Sequence, residues 1–184
     1  GDGTTNIGAF HEALNFAVIW KLPVIFVCEN NLYMEYTPID AVTAVKNPAA
    51  DRASAYGLEP IKIDGNDVEI VYRAASTAIS KARNGLGPTL MEVLTYRHGG
   101  HSRADPGKYR PQSEVDTWLQ KDPVNNYRMR LLESGVDKAT IVTIEEETEC
   151  AIDAATEVAK ESPPPDVEIA NFDLWSDGGT SWRN

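Results

Sequence analysis

The sequence has little cysteine: only Cys28 and Cys150 occur among its 184 residues. Two cysteines cannot form the disulfide framework that stabilises many small secreted domains, so we expect reduced thiols and a cytoplasmic protein. Basic residues are also scarce, because 17 lysines and arginines stand against 28 aspartates and glutamates, for a formal net charge of −11. Nucleic-acid binders and proteins that dock on anionic membranes need clustered positive charge, so we expect neither kind of partner.

Long hydrophobic runs are absent too, and no stretch approaches the roughly 20 apolar residues that cross a bilayer. Hydrophobic residues make up 42% of the chain and charged residues 24%. This balance excludes a disordered tail or a fibrous repeat. The chain also begins at Gly1, without a methionine, on the first residue of its strongest motif. We therefore expect a globular protein, and a chain that is truncated at its N-terminal side.

Helix and strand patterns alternate along the first half of the chain. Apolar residues at spacings of three and four predict helices over 8–21 and 67–83. Short apolar runs rich in β-branched residues predict buried strands at 24–28, 60–63 and 89–94. This order predicts an α/β fold with a parallel sheet and helices on both faces.

The second half of the chain reads as helical. A short helix ending at Gly57 is expected before the second strand, and the other predicted helices cover 113–120, 123–134 and 138–161. The stretches 34–47 and 97–111 read as irregular loops. A triple proline at 163–165 ends the last helix. We therefore predict one domain over 1–162 and a tail over 163–184, whose tryptophans are Trp175 and Trp182.

Two short motifs carry the chemistry. Gly1-Asp2-Gly3 is followed by 26 residues and then by Asn30-Asn31. Each motif alone is an ordinary turn, but a helix and a strand lie between them and return the chain to the same edge of the sheet. Carboxylate, amide and carbonyl oxygens are ligands that suit Mg²⁺ or Ca²⁺. Gly3 and the following helix N-terminus could admit a diphosphate beside such an ion.

The amino-acid sequence around these motifs is more specific to one protein family. It reads GDGTTNIGAFHEA over 1–13, WKLP over 20–23, CENNLY over 28–33, Thr-Tyr-Arg over 95–97 and HSRADPG over 101–107. Across residues 1–165 the sequence resembles the α subunit of the thiamine diphosphate-dependent first component of 2-oxo acid and acetoin dehydrogenase complexes. The resemblance implies the thiamine diphosphate-binding fold, with thiamine diphosphate and Mg²⁺ as cofactors.

The resemblance also implies roles for individual residues. Asp2 and Asn31 would bind Mg²⁺ through their side chains, and Tyr33 would bind it through its backbone carbonyl. Gly3 and Thr4 would contact the diphosphate through main-chain amides.

The loop after the third strand has implied roles as well. His101 would be the catalytic residue close to the cofactor and the incoming substrate. Ser102 matches the loop serine that is phosphorylated in mitochondrial relatives. Arg97 and Arg103 could hold anionic groups or pair with acidic helices, and both interpretations stay open. For His98 a structural hydrogen bond is the favoured interpretation.

Three further residues are interpreted as departures from the family or as packing. Met34 stands where relatives commonly carry glycine, and Gly99 where some carry histidine. His11 on the first helix is expected to be structural.

The resemblance implies partners and a reaction. A β subunit would complete the active site in a heterotetramer of two α and two β chains, and a lipoyl acyltransferase core would accept the product. The small-molecule substrate would be acetoin or a 2-oxo acid such as pyruvate. The sequence of residues 31–38 favours acetoin, and branched-chain 2-oxo acids are less favoured. The alternative function is a non-catalytic α/β fragment that serves subunit assembly.

Overall fold

The computed structural model describes residues 1–171, and of Asn171 only the backbone. The chain divides into two compact units, the first over residues 1–133 and the second beginning at Ser134. The division predicted between residues 162 and 163 stays a prediction. Trp175 and Trp182 lie outside the described residues. No helix within residues 1–171 is long and apolar enough to cross a bilayer.

The first unit contains all of the strands in the described part of the chain. The strands are β1 (Ile25–Asn30), β2 (Tyr33–Met34), β3 (Thr37–Pro38), β4 (Ile61–Asp64) and β5 (Thr89–Leu94). The helices of this unit are α1 (Gly8–Ile19), α2 (Ala50–Ala53), α3 (Val68–Arg83), α4 (Gln112–Leu119) and α5 (Pro123–Glu133). Short 3-10 helices cover Asp2–Asn6, Ile39–Ala41 and Ser54–Tyr56.

The main sheet is parallel and has the order β1-β5-β4. β5 therefore lies between two strands that precede it in sequence. Asn30 at the end of β1 and Asp64 at the end of β4 both pair with Leu94 at the end of β5. The carboxyl ends of the three strands consequently lie at one edge, where ligands collect in open α/β sheets.

Helices cover the central strand on both faces. Five of the six residues of β5 are buried and Leu94 is partly buried. Leu90 packs in a core cluster with Leu14 of α1 and Ala53 of α2, and α3 contacts all three strands of the sheet. The predicted α/β fold with a parallel sheet is confirmed. Cys28 belongs to the same core cluster, and burial raises the pKa of its thiol to about 12, so the thiol stays protonated at neutral pH.

The ends of the long helices follow local chemistry. Asp67 caps α3, because its side chain accepts hydrogen bonds from the backbone N–H groups of Glu69 and Ile70 at 2.9 and 3.1 Å. Gly85, with φ of 70°, takes the left-handed conformation just past the end of α3. α1 ends at Ile19, two residues before the predicted end.

Three sequence predictions need correction in detail. β1 runs on to Asn30, through residues expected to form a turn, because each pairs with a residue of β5. The stretch 34–47 is not wholly irregular, since β2 and β3 form a small antiparallel hairpin there. The helix predicted to end at Gly57 is only the four residues of α2, continued by a 3-10 turn.

The second unit, taken by itself, contains the long helix α6 (Lys138–Glu161). Asp137 caps this helix by accepting hydrogen bonds from the backbone N–H groups of Ala139 and Thr140 at 3.0 and 3.4 Å. A 3-10 turn follows over Val167–Asn171. The bounds of α6 match the predicted 138–161.

Candidate functional site

The two motifs predicted to meet do lie side by side at the carboxyl edge of the sheet. A Cβ atom placed on Gly1 would lie 3.8 Å from the carbonyl oxygen of Glu29, at the end of β1. A Cβ atom placed on Gly3 would lie 2.5 Å from Cγ of Met34. The Gly-Asp-Gly segment is thus packed against residues 29–34, the segment that contains Asn31.

Asp2 is buried and only half satisfied. The residue is 3% exposed, and Oδ1 accepts a hydrogen bond from the backbone N–H of Gly3 at 2.8 Å. Oδ2 is also buried but has no hydrogen-bond partner among the described residues. A buried carboxylate oxygen without a donor is costly unless it faces a cation or a ligand. Asp2 therefore has the unsatisfied oxygen that a bound cation would complete.

Two asparagines shape the turn that follows β1. We call residues 30–33 the asparagine turn. The side-chain oxygen of Asn30 accepts from the backbone N–H of Leu32 at 3.0 Å, and that of Asn31 accepts from the N–H of Tyr33 at 3.0 Å. These two bonds hold Leu32 at φ of 74°, in the left-handed region that non-glycine residues seldom occupy. Asn31 is partly exposed, and its amide oxygen keeps a second lone pair.

Met34 covers Gly3. Besides Cγ at 2.5 Å, the Sδ atom of Met34 would lie 2.8 Å from a Cβ atom on Gly3. The space beside Gly3 that a diphosphate could approach is therefore occupied by a flexible side chain. This contact gives the departure at Met34 a structural consequence, because a glycine there would leave the backbone of Gly3 open.

An arginine that sequence reasoning did not single out holds the segment after Asp2. The Arg52 guanidinium donates to the backbone carbonyls of Thr5 and Pro48, both at 2.9 Å, and to the Thr5 hydroxyl. The Thr5 hydroxyl in turn donates to the carbonyl of Asp2 at 2.7 Å. Arg52 thus ties α2 to the 3-10 helix that carries Asp2.

A buried glutamate was missed as well. Glu92 is fully buried in β5, and its two oxygens accept hydrogen bonds from the Asn30 side chain and from the backbone N–H groups of Ala49 and Ala50. The signal in the sequence was a single charged residue inside an otherwise apolar strand.

Tyr33 belongs to an aromatic cluster around Glu114. The carboxylate Oε1 of Glu114 accepts hydrogen bonds from the hydroxyls of Tyr33 and Tyr96, at 2.9 and 2.8 Å. The ring of Tyr96 stacks on Trp118 with the centroids 5.3 Å apart. Burial, and then the bond to Glu114, raise the pKa of each of these tyrosines to about 12. The side chain of Tyr33 is thereby held in the aromatic cluster, whereas its backbone carbonyl belongs to the asparagine turn.

His101 is exposed and is oriented by Arg97. Nη1 of Arg97 lies 3.0 Å from Nδ1 of His101, and the His101 ring meets Tyr36 edge-on with the centroids 6.1 Å apart. A guanidinium only donates, so Nδ1 accepts and the ring proton of the neutral imidazole is on Nε2. Arg97 also donates to the carbonyl of Glu35 and to the hydroxyl of Tyr109, so it connects this loop with the β2–β3 hairpin.

The loop over 97–111 is internally bonded. The Asp105 carboxylate accepts from the N–H groups of His101 and Gly107, at 2.6 and 2.8 Å, and from the Tyr109 hydroxyl. Burial acts to raise the pKa of Asp105, but these bonds outweigh it, so the pKa lies below the ordinary value. Arg110 donates to the carbonyls of several loop residues. His101 is thus carried by an ordered loop.

Four other residues considered in the sequence analysis have no contact with Asp2 or the asparagine turn among the hydrogen bonds and ion pairs of the described residues. His11 contacts the Tyr56 hydroxyl through Nδ1, a structural contact as expected. Nδ1 of His98 lies 3.4 Å from the Asp122 carboxylate, which agrees with the structural interpretation. Ser102 and Arg103 are exposed.

The residues matched by a known family cover nearly all of the described chain. Residues 1–168 match the family of dehydrogenase E1 components. This chain belongs to that family. The E1 family uses thiamine diphosphate and Mg²⁺.

Named relatives of the chain act on different substrates. It is 42% identical to the α subunit of acetoin:2,6-dichlorophenolindophenol oxidoreductase of Bacillus subtilis (strain 168), over 92% of this chain and 51% of that protein. It is 38% identical to the pyruvate dehydrogenase E1 component subunit alpha of Porphyra purpurea, over 96% and 52%. It is 41% identical to the 2-oxoisovalerate dehydrogenase subunit alpha of B. subtilis, over 89% and 50%. The chain spans about half the length of these relatives.

The residues present fit the cofactors of the E1 family in chemistry. Asp2 has a buried oxygen that lacks a donor, and the asparagine turn adds amide and carbonyl oxygens nearby, a donor set that suits Mg²⁺. No group of three or more His, Cys, Asp or Glu side chains within residues 1–171 could hold a metal ion. That observation does not bear on the predicted ligands, of which only Asp2 is one of these types. The Met34 side chain would have to leave Gly3 before a diphosphate could approach.

Proposed function

We propose that the protein to which this chain belongs is a thiamine diphosphate-dependent enzyme. It would cleave acetoin, or a 2-oxo acid such as pyruvate, and transfer the acyl group to a lipoyl group of a multienzyme complex. The observation that carries the proposal is the half-satisfied carboxylate of Asp2, buried against the segment that contains Asn31.

In this proposal the chain supplies the metal and diphosphate part of the site. Asp2 and Asn31 bind Mg²⁺ through side-chain oxygens and Tyr33 through its carbonyl. Gly3 and Thr4 donate main-chain N–H groups to the diphosphate after these groups leave their present acceptors, Asp2 Oδ1 and the Gly1 carbonyl. Thiamine diphosphate, when bound, supplies the electron sink for cleaving a bond beside a carbonyl.

His101 is the proposed catalytic residue. With its proton on Nε2, the imidazole can donate a hydrogen bond to a substrate oxygen or a phosphate. Arg97 fixes the ring from the other side, and Asp105 fixes its backbone. An exposed position on a bonded loop suits a group that meets an incoming substrate.

The relatives support a shared active site, and with acetoin or pyruvate as the substrate the transferred acyl group would have two carbons. Their names describe α subunits of an oxidoreductase and of dehydrogenases, which supports a β subunit as partner. The proposed assembly is a heterotetramer of two α and two β chains, with a lipoyl acyltransferase as the next partner. Acetoin is the proposed substrate, because residues 31–38 resemble the acetoin type. The identities alone do not decide the choice, since the acetoin and 2-oxoisovalerate relatives are 42% and 41% identical to this chain.

Calorimetric titration of the αβ complex with thiamine diphosphate tests the cofactor part of the proposal. We expect binding with Mg²⁺ and none with a metal chelator present. A stable complex that binds no cofactor would contradict the enzyme proposal and support the alternative, a role in subunit assembly.

Turnover by the reconstituted complex tests the substrate. Acetoin, pyruvate and a branched-chain 2-oxo acid would be compared by their kcat/KM values, with the acyl group captured by a lipoyl domain. We expect acetoin to give the highest value. A higher value for either 2-oxo acid would refute the choice of acetoin, and a His101→Ala variant that keeps full turnover would refute the catalytic assignment.

A further inference from the structure

Glu92 is a buried carboxylate that the proposed chemistry does not use. It lies in the central strand β5, with its side chain fully buried, and no described cation pairs with it. Its three hydrogen-bond donors come from two places far apart in sequence. Oε1 accepts from Nδ2 of Asn30 at 2.8 Å. Oε2 accepts from the backbone N–H groups of Ala49 and Ala50, both at 2.9 Å.

One of these bonds leads directly to the asparagine turn. The Asn30 amide donates to Glu92 with its nitrogen and accepts from the backbone N–H of Leu32 with its oxygen. Glu92 therefore decides which way the amide faces. If the amide rotated, its nitrogen would face the Leu32 N–H, and two donors would oppose each other. The left-handed conformation of Leu32, at φ of 74°, would lose its bond.

The other bonds lead to Asp2. Glu92 holds the first N–H groups of α2, and Arg52 of the same helix holds the carbonyl of Thr5. The Thr5 hydroxyl donates to the carbonyl of Asp2. A continuous set of hydrogen bonds thus runs from Asp2, through α2 and Glu92, to the asparagine turn.

We propose that Glu92 is a positioning residue that sets the distance and orientation between the Asp2 carboxylate and the asparagine turn, and so tunes the affinity for Mg²⁺. This inference rests on the proposed function only in taking those two groups as metal ligands. Residues that orient metal ligands in other proteins change metal affinity by about 10–100-fold when they are replaced.

The test exchanges the carboxylate of Glu92 and the amide of Asn30 between the two positions. In Glu92→Gln, one donor must face another, either at Asn30 or at the start of α2, because the new amide has one oxygen and one nitrogen. In the double variant Glu92→Gln/Asn30→Asp, the new nitrogen can donate to the new carboxylate, which still accepts from the Leu32 N–H. The glutamine oxygen still accepts from Ala49 and Ala50. Every bond is restored and the buried charge is kept.

Two readouts on the αβ complex separate the possible explanations. Hydrogen exchange of the Leu32 and Tyr33 amides, measured without cofactor, reports the geometry of the turn. Titration with Mg²⁺ at a fixed concentration of thiamine diphosphate reports the metal affinity. We expect Glu92→Gln to speed exchange and weaken Mg²⁺ binding by about 10–100-fold, and the double variant to recover most of both.

A matched control tests whether a general loss of stability could explain the weaker Mg²⁺ binding. Leu90→Ala changes a buried residue on the same strand and the same face, two positions away, without touching the turn. It should lower the unfolding midpoint while leaving Mg²⁺ affinity unchanged.

Each other outcome overturns a defined part of the argument. Unchanged Mg²⁺ affinity in Glu92→Gln, beside a wild type that binds, refutes the positioning role alone. Faster exchange with unchanged affinity shows that Glu92 orders a turn that is not a metal ligand, which also refutes it. Failure of the double variant to recover affinity shows that the bonds are not the cause. A wild-type complex that binds no cofactor refutes the proposed function, and the positioning role with it.

Discussion

Replacing Asp2 with alanine should separate cofactor binding from folding. The variant loses the hydrogen bond from Gly3 N–H to Oδ1, worth about 0.5–1.5 kcal/mol. It also removes the buried Oδ2 atom that has no donor among the described residues, and such a group costs about 1–3 kcal/mol. Since the two effects offset each other, the free energy of unfolding without cofactor should equal or slightly exceed that of the wild type.

The cofactor should change this comparison. A ligand at about 100 times its Kd stabilises the folded state by about 2.7 kcal/mol. For a cooperative unit of about the size of this chain that corresponds to a rise in Tm of about 5–11 °C, and a complex that unfolds as one larger unit would show a smaller rise. The wild type should show this rise with Mg²⁺ and thiamine diphosphate together, and Asp2→Ala should show none.

Differential scanning calorimetry of the αβ complex, with and without the two cofactors, provides the measurement. Asp40→Ala is the matched control, because Asp40 is an exposed carboxylate in the neighbouring 3-10 helix. That control should keep the full rise in Tm. If Asp2→Ala keeps it as well, Asp2 is not a ligand and the reasoning from its unsatisfied oxygen is wrong.

Three other predictions address packing, pH and the diphosphate site. Leu14→Ala, at a fully buried position, should lower the free energy of unfolding by about 2–5 kcal/mol in urea denaturation, and a loss below 1 kcal/mol would contradict the core assignment. Because the pKa of Tyr33 is raised from 10.0 to about 12, its contribution to the free energy of unfolding should be complete below pH 10 and be lost as the pH rises towards 12. In Glu114→Gln, denaturation at a series of pH values should show a smaller loss of stability over this range. An unchanged pH profile would contradict the role of the Glu114 carboxylate. Met34→Gly should lower the Kd for thiamine diphosphate several-fold, since it clears the space beside Gly3, and weaker binding would show that the side chain helps to hold the cofactor.

The structure agrees closely with the sequence for the two elements that the local pattern marks most clearly, the third predicted strand and the helix before it. The strand over 89–94 was predicted with its observed ends, because a continuous apolar run between turn residues is typical of a strand covered on both faces. The helix over 67–83 was predicted to within one residue, since Asp67 and Gly85 mark its ends. The packing of the Gly-Asp-Gly segment against residues 29–34 also followed from order alone, because a helix followed by a parallel strand returns the chain to the same edge.

The amino-acid sequence by itself determined the class of fold, the order of its elements and the pair of motifs at one sheet edge, since each depends on neighbouring residues or on a general rule of chain connection. Only the tertiary structure decided that β5 lies between β1 and β4. That placement brings Glu92 to Asn30, 62 residues away, and the α2 helix brings Arg52 to Thr5, 47 residues away. Such contacts depend on the packing of the whole chain. A buried charged group must be hydrogen-bonded, but its partners come from segments that are distant in sequence and are brought together only by the fold.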